Sequence, residues 1–234
     1  AAPKRSARSY FRVAGTGTPV VTLSIIALTV FVFVLQMIPW LGVTDALAYA
    51  PAYSGMEISG YAPVPFEPWR MITSVFTHST GFIFHVLLNM YTLWIFGQLL
   101  ESMLGRARFL TLYLVAGLAG SVGVMFLATP TTFVVGASGA IFGLLGAFLV
   151  IQRKLGGNTM ALLILVGINL VIGFLPGLNV AWQAHLGGLI AGVLLGLVFV
   201  QTRRIAQRRV QLAWTLIIIA VLVGLSFSHA PLFV

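Results

Sequence analysis

Cysteine is absent from all 234 residues, which excludes disulfides, thiolate metal sites and cysteine nucleophiles and leaves the redox compartment open. Charge is nearly as scarce: Asp, Glu, Lys and Arg together make up 7% of the chain, and only four residues are acidic. With 59% hydrophobic residues and a mean hydropathy of +1.05, too little polar surface remains to cover a water-soluble globule. The chain is therefore read as a membrane protein. Scarcity of acids also limits the chemistry. A pair of catalytic aspartates is impossible because Asp45 is the one aspartate, and a His-Glu-x-x-His zinc helix is missing. Long polar stretches are missing too, so the apolar runs belong to one domain in lipid rather than two. In a soluble protein a net charge of +9 would suggest nucleic acid; here the placement of the basic residues points to membrane topology instead.

Seven windows are apolar and long enough to be read as spans: Val20 to Ile38, Gly81 to Leu100, Phe109 to Leu127, Gly136 to Gln152, Met160 to Leu175, Trp182 to Val200, and Val210 to Phe227. The first is too long, and lacks the small-residue cleavage site, of a removed signal peptide. Lys4, Arg5, Arg8 and Arg12 precede the first window, Arg106 and Arg108 follow the second, Arg153 and Lys154 the fourth, and Arg203, Arg204, Arg208 and Arg209 the sixth. Basic loops stay in the cytoplasm, which predicts an inside N-terminus and, after seven spans, an outside C-terminus. Asp45, Glu57 and Glu67 fall in the long outer loop from Pro39 to Thr80, whose prolines and aromatics suit irregular chain at the headgroup level. The expected fold is an all-α polytopic bundle. It divides into a basic cytoplasmic segment 1–19, a six-span core 20–200, and a loop with a seventh span over 201–234.

Polar residues are few enough within the spans to be considered singly. Gly136-Ala137-Ser138-Gly139 places a serine at the outer start of the fourth window. Alone it is weak evidence, because Gly139, Gly143 and Gly146 equally suit close helix packing. A nucleophile elbow is excluded, since no strand is plausible before the turn. His185, at the outer start of the sixth window, is an ionisable group in lipid and so a functional candidate. Gly188, Gly192 and Gly196 follow it on one small face, which packed against the glycines of the fourth span would bring His185 close to Ser138. His85 and Asn89 share one face of the second span, where they either join helices or donate hydrogen bonds to a developing oxyanion together with the Ser138 N–H.

Depth offers a check. Ser138 lies fifteen residues from Arg153, His185 eighteen from Arg203 and His85 sixteen from Glu101, roughly 22, 27 and 24 Å at the α-helical rise. The three residues share a layer within about one turn. Glu101 belongs at the opposite, cytoplasmic end and the other acids are in loops, so a serine–histidine pair would act without a third carboxylate member.

These residues resemble the rhomboid intramembrane proteases, which pair a Gly-x-Ser-Gly in one span with a histidine and spaced glycines in a later one. Trp69-Arg70 is similar to the family's first-loop motif, His85-x-x-x-Asn89 to its oxyanion motif, and Glu101, Gly105, Arg108 and Phe109 to the stretch that follows. The resemblance implies a rhomboid-like bundle with Ser138 as nucleophile, His185 as base, and His85, Asn89 and the Ser138 N–H as oxyanion donors. Gly136, Gly139, Phe142, Gly188 and Gly192 would support the site, and Trp69 and Arg70 would be structural. It also implies peptide-bond hydrolysis in single-span membrane substrates with weak helices near the outer surface, without metal, cofactor or nucleic acid. Two departures stand out: Phe142 replaces a common tyrosine four residues after the nucleophile, and a seventh span follows the six-span core. His78 and His229 match no catalytic position and are read as ordinary loop residues. A silent client-binding relative and a small transporter remain as rivals. The basic inner loops and lack of a transit-like presequence make a bacterial plasma membrane the expected location.

Overall fold

The computed structural model describes residues 17–55, 64–174 and 180–228. Lys4, Arg5, Arg8, Arg12, Glu57, Tyr61, Leu175 and His229 lie outside the described residues. The helices are α1 (Val20–Gln36), α2 (Val43–Leu47), α3 (Arg70–Thr73), α4 (Ile83–Leu104), α5 (Arg106–Leu127), α6 (Ser138–Lys154), α7 (Met160–Ile172), α8 (Trp182–Gln201) and α9 (Arg208–Ser226). No strand occurs among the described residues beyond an isolated antiparallel bridge between Tyr49 and Val134.

Each of the seven apolar windows coincides with one of α1 and α4 to α9. Among the described residues, four helical stretches are long and apolar enough to cross a membrane by themselves: α4, α5, α8 and the run Ile205–Ser226 that contains α9. A fifth is obtained if α1 and Pro39–Leu47, bent by 103°, count as one. Helices α6 and α7, at 17 and 13 residues, are shorter. They extend roughly 26 and 20 Å, against about 30 Å of hydrocarbon. The shortness of α6 has a local cause: the chain before it runs irregularly into the bundle. That backbone is held by protein rather than lipid, with Val134 paired to Tyr49 (2.7 and 3.2 Å) and the Gly136 N–H donating to the Ser74 carbonyl at 3.1 Å.

Helices α5, α6 and α8 form the centre. Phe109, Leu112 and Tyr113 of α5, Leu144 of α6 and Leu195 of α8 are fully buried. The outward faces are apolar as well: Phe84, Leu88 and Tyr91 of α4 and Leu212, Leu216 and Val221 of α9 are exposed, as expected where the surrounding solvent is lipid.

Glu101 is buried and does more than mark the end of a span. Its carboxylate accepts the N–H groups of Val21 (3.0 Å) and Thr22 (2.8 Å) and the Thr22 hydroxyl (2.8 Å). Pro19 provides no side-chain cap for α1, so a carboxylate from α4 satisfies the first donors of that helix and complements its positive end. A second polar lock joins α5 to α9: Arg108 Nε donates to Gln211 Oε1 at 2.6 Å, and Gln211 Nε2 donates to the Thr202 hydroxyl at 2.9 Å.

Candidate active site

Helix α6 begins at Ser138, so its first N–H groups have no acceptor within the helix. The turn into it depends on Gly136, whose φ of +119° lies in the region that disfavours side chains. A Cβ at Gly136 would also stand 2.7 Å from His85 Nε2, so the missing side chain lets the imidazole approach the turn that carries Ser138.

Helices α6 and α8 approach each other through backbone. A Cβ on Gly188 would overlap the Gly139 carbonyl oxygen, and one on Gly192 the Gly143 carbonyl oxygen. At the end of this seam nearest the starts of α6 and α8, His185 Nε2 lies 2.9 Å from Ser138 Oγ, across 47 residues of sequence. The His185 ring stacks on Phe142, with centroids 4.1 Å apart and planes 9° from parallel. His185 is buried, and its Nδ1 has no hydrogen-bond partner among the described protein groups. Thus packing against a phenyl ring, rather than a carboxylate, sets the imidazole's orientation.

His85 and Asn89 occupy the first two turns of α4. His85 Nδ1 accepts a long hydrogen bond from the Ser79 N–H at 3.4 Å, which leaves Nε2 on the Gly136 side. Asn89 is buried one turn further along, and one of its two amide protons goes to the His85 carbonyl at 2.8 Å. Ser138, His185, Phe142 and His85 thus meet around the start of α6, with Asn89 beside His85. Arg70 is elsewhere: it pairs with Glu67, donates to the carbonyls of Asp45 (2.5 Å) and Ala48 (3.1 Å), and lies 4.0 Å above the Tyr53 ring. It ties α3 to the stretch from Asp45 to Ala48, while Trp69 is exposed. Among the described residues, no group of three or more His, Asp or Glu is placed to hold a metal.

The reading of His78 as an ordinary loop residue is corrected. It is in a loop, but only 1% exposed, with its ring 5.0 Å from that of His85. Its Nε2 accepts a long hydrogen bond from the Ala137 N–H at 3.5 Å. Burial first, and the neighbouring His85 second, push His78 down to about 3, so its ring is neutral at ordinary pH and able to accept. Gln36 of α1 holds the same residue by its backbone, accepting the His78 N–H at 2.9 Å and donating to the His78 carbonyl at 3.0 Å. A lone histidine in a loop shows no periodicity, and the only sequence hint was its position between two polar residues, Thr77 and Ser79.

The model of the rhomboid domain family matches residues 65–202, which include Ser138, His185, His85, Asn89 and Trp69-Arg70. The chain is 35% identical over 185 residues to YdcA of Bacillus subtilis, covering 74% of this chain and 88% of that one. It is 40% identical over 140 residues to RHOMBOID-like protein 1 of Arabidopsis thaliana, covering 57% and 35%. It is 30% identical over 191 residues to Rhomboid protease GlpG of Haemophilus influenzae, covering 79% and 93%. The chain spans most of the two bacterial proteins but about a third of the plant one. It belongs to the rhomboid family.

Proposed function

We propose that the chain is an intramembrane serine endopeptidase that hydrolyses peptide bonds in or near transmembrane segments of membrane-protein substrates through Ser138 and His185. The observation that carries this reading is the 2.9 Å contact between Ser138 Oγ and His185 Nε2. Membership of a family composed mostly of intramembrane serine proteases supports it.

In this mechanism His185 Nε2, unprotonated, takes the Ser138 proton as Oγ forms a bond to the substrate carbonyl carbon. The tautomer with its proton on Nδ1 is the one that can accept. The carbonyl oxygen becomes negative and is met by donors from His85, Asn89 and the Ser138 N–H. Collapse breaks the peptide C–N bond, and His185 returns the proton to the departing amine. Water then repeats the sequence on the acyl-enzyme and restores the serine. No metal or cofactor is required for these steps to balance. A substrate helix must unwind locally before its carbonyl can enter, because helical hydrogen bonds shield the backbone.

The topology that suits this chemistry is the seven-span one, with the N-terminus cytoplasmic, the C-terminus outside and the site near the outer face of a plasma membrane. The basic ends of α6 and α8 support it: Arg153 and Lys154 close α6, and Arg203 and Arg204 follow α8. Residues 20–200 would then form the catalytic core and 201–234 an appended loop and span.

A fluorophosphonate probe tests the reading against a silent, client-binding relative. The detergent-purified protein is expected to be labelled covalently at Ser138 and the Ser138→Ala variant not at all; equal labelling of both would end the protease interpretation. For the oxyanion role, Asn89→Ala is expected to lower turnover of a single-span substrate by about a hundredfold or more, with little change in thermal unfolding. An unchanged rate would remove Asn89 from the mechanism.

A further inference from the structure

Helix α9 lies beyond the family-matched residues and beside the core rather than within it. Between it and the faces of α5 and α8 runs a partly open apolar groove of about 920 Å³, lined by Phe126, Leu194, Val198, Trp214, Ile217 and Val221 among others. That volume is at the upper end of roughly 300–1,000 Å³ typical of small-molecule sites. The groove's lining reaches from Val210 to Leu225 of α9. Fifteen residues of helix are about 22 Å, longer than one leaflet's half of a roughly 30 Å hydrocarbon core.

Only one end of the groove is polar. Gln201, Thr202 and Gln207 line it there, and they alternate with Arg203, Arg204, Arg208 and Arg209, all four exposed. No acidic residue occurs anywhere from 201 to 228. Glu101 is occupied by the start of α1, and Glu67 pairs with Arg70. The turn that carries the arginines is fixed by the bonds among Thr202, Gln211 and Arg108. Basic loops set topology wherever they sit. Here, in addition, four exposed arginines flank in sequence the residues that line the polar end of an apolar slot of acyl-chain length.

We propose that this groove binds an anionic glycerophospholipid, with its phosphate at Arg203, Arg204, Arg208 and Arg209 and its acyl chains between α9 and the α5–α8 face. Guanidinium groups pair with phosphate oxygens through two parallel N–H bonds, and basic pockets between spans select charged headgroups. The ligand is a lipid of the leaflet on the arginine side, not a soluble phosphate, because most of the contact is apolar. The proposal does not depend on protease activity and is testable in the Ser138→Ala background.

Native mass spectrometry on protein released from mixed micelles of phosphatidylglycerol and phosphatidylcholine is the test. Retention of phosphatidylglycerol is expected to exceed that of phosphatidylcholine by about tenfold, with inorganic phosphate failing to compete. The quadruple variant R203Q/R204Q/R208Q/R209Q is expected to lose the preference, and the groove-filling pair Leu194→Trp and Val221→Trp to lose retention of both lipids with the arginines intact. Equal retention of the two lipids by the parent protein would overturn the proposal. So would a preference that survives filling of the groove, because surface charge alone would then explain it.

Discussion

His185→Ala protein is expected to cleave a single-span substrate at least about ten-thousandfold more slowly than its parent, with Ser138→Ala falling as far and the double variant no slower than either. The reasoning is geometric. One hydrogen bond of 2.9 Å joins the hydroxyl to the imidazole, so removing either group removes the same proton transfer. Groups that act as a unit lose their effect once, not twice. A double variant whose loss equalled the product of the single losses would mean that the two residues act independently. A His185→Ala protein at near-parental rate would exclude the imidazole as the base. Circular dichroism and thermal unfolding of all three variants would separate chemistry from folding, since His185 is buried against Phe142.

Gly188→Val is expected to remove fluorophosphonate labelling from the folded fraction and to lower the yield of folded protein. The Cβ would overlap the Gly139 carbonyl oxygen, which is backbone and cannot swing aside. Helices α6 and α8 would have to separate, and overpacking of this kind costs about 1–3 kcal/mol or more. Separation opens the seam at one end of which Ser138 meets His185, so activity falls further than stability. Gly167→Val on α7 is the matched control, because a Cβ there meets nothing within 4 Å and both readouts should stay unchanged. Full labelling of Gly188→Val would show that the close approach is dispensable.

What could be read in the sequence and what could not divide along physical lines. Spans announce themselves by composition, and each of the seven windows coincides with a helix, although α1, α6 and α7 taken singly are shorter than a full crossing. Ser138 and His185 stand out because hydroxyl and imidazole groups at the starts of glycine-bearing helices are conspicuous in lipid. Their shared depth followed from counting residues to the basic ends. The stacking partner Phe142 was within reach through the family resemblance alone, as the position four residues after Ser138 where relatives commonly carry a tyrosine. Gln36 and His78 were not legible, because their pairing spans 42 residues between a helix end and a loop. Glu101 was placed at the end of its span away from His85, but its bonds to Val21 and Thr22 depend on how α1 packs against α4. No local pattern encodes such a contact.

Helix α1 is fastened twice. Glu101 grips its first turn, and Gln36, its last residue, is bonded to the backbone of His78 beside His85. Yet α1 precedes the stretch 65–202 that defines the family match. A chain cut back to that stretch would strand a carboxylate among apolar side chains at one face and unhook the His78 loop at the other. Helix α1 thus serves as a strut that couples the two surfaces of the bundle.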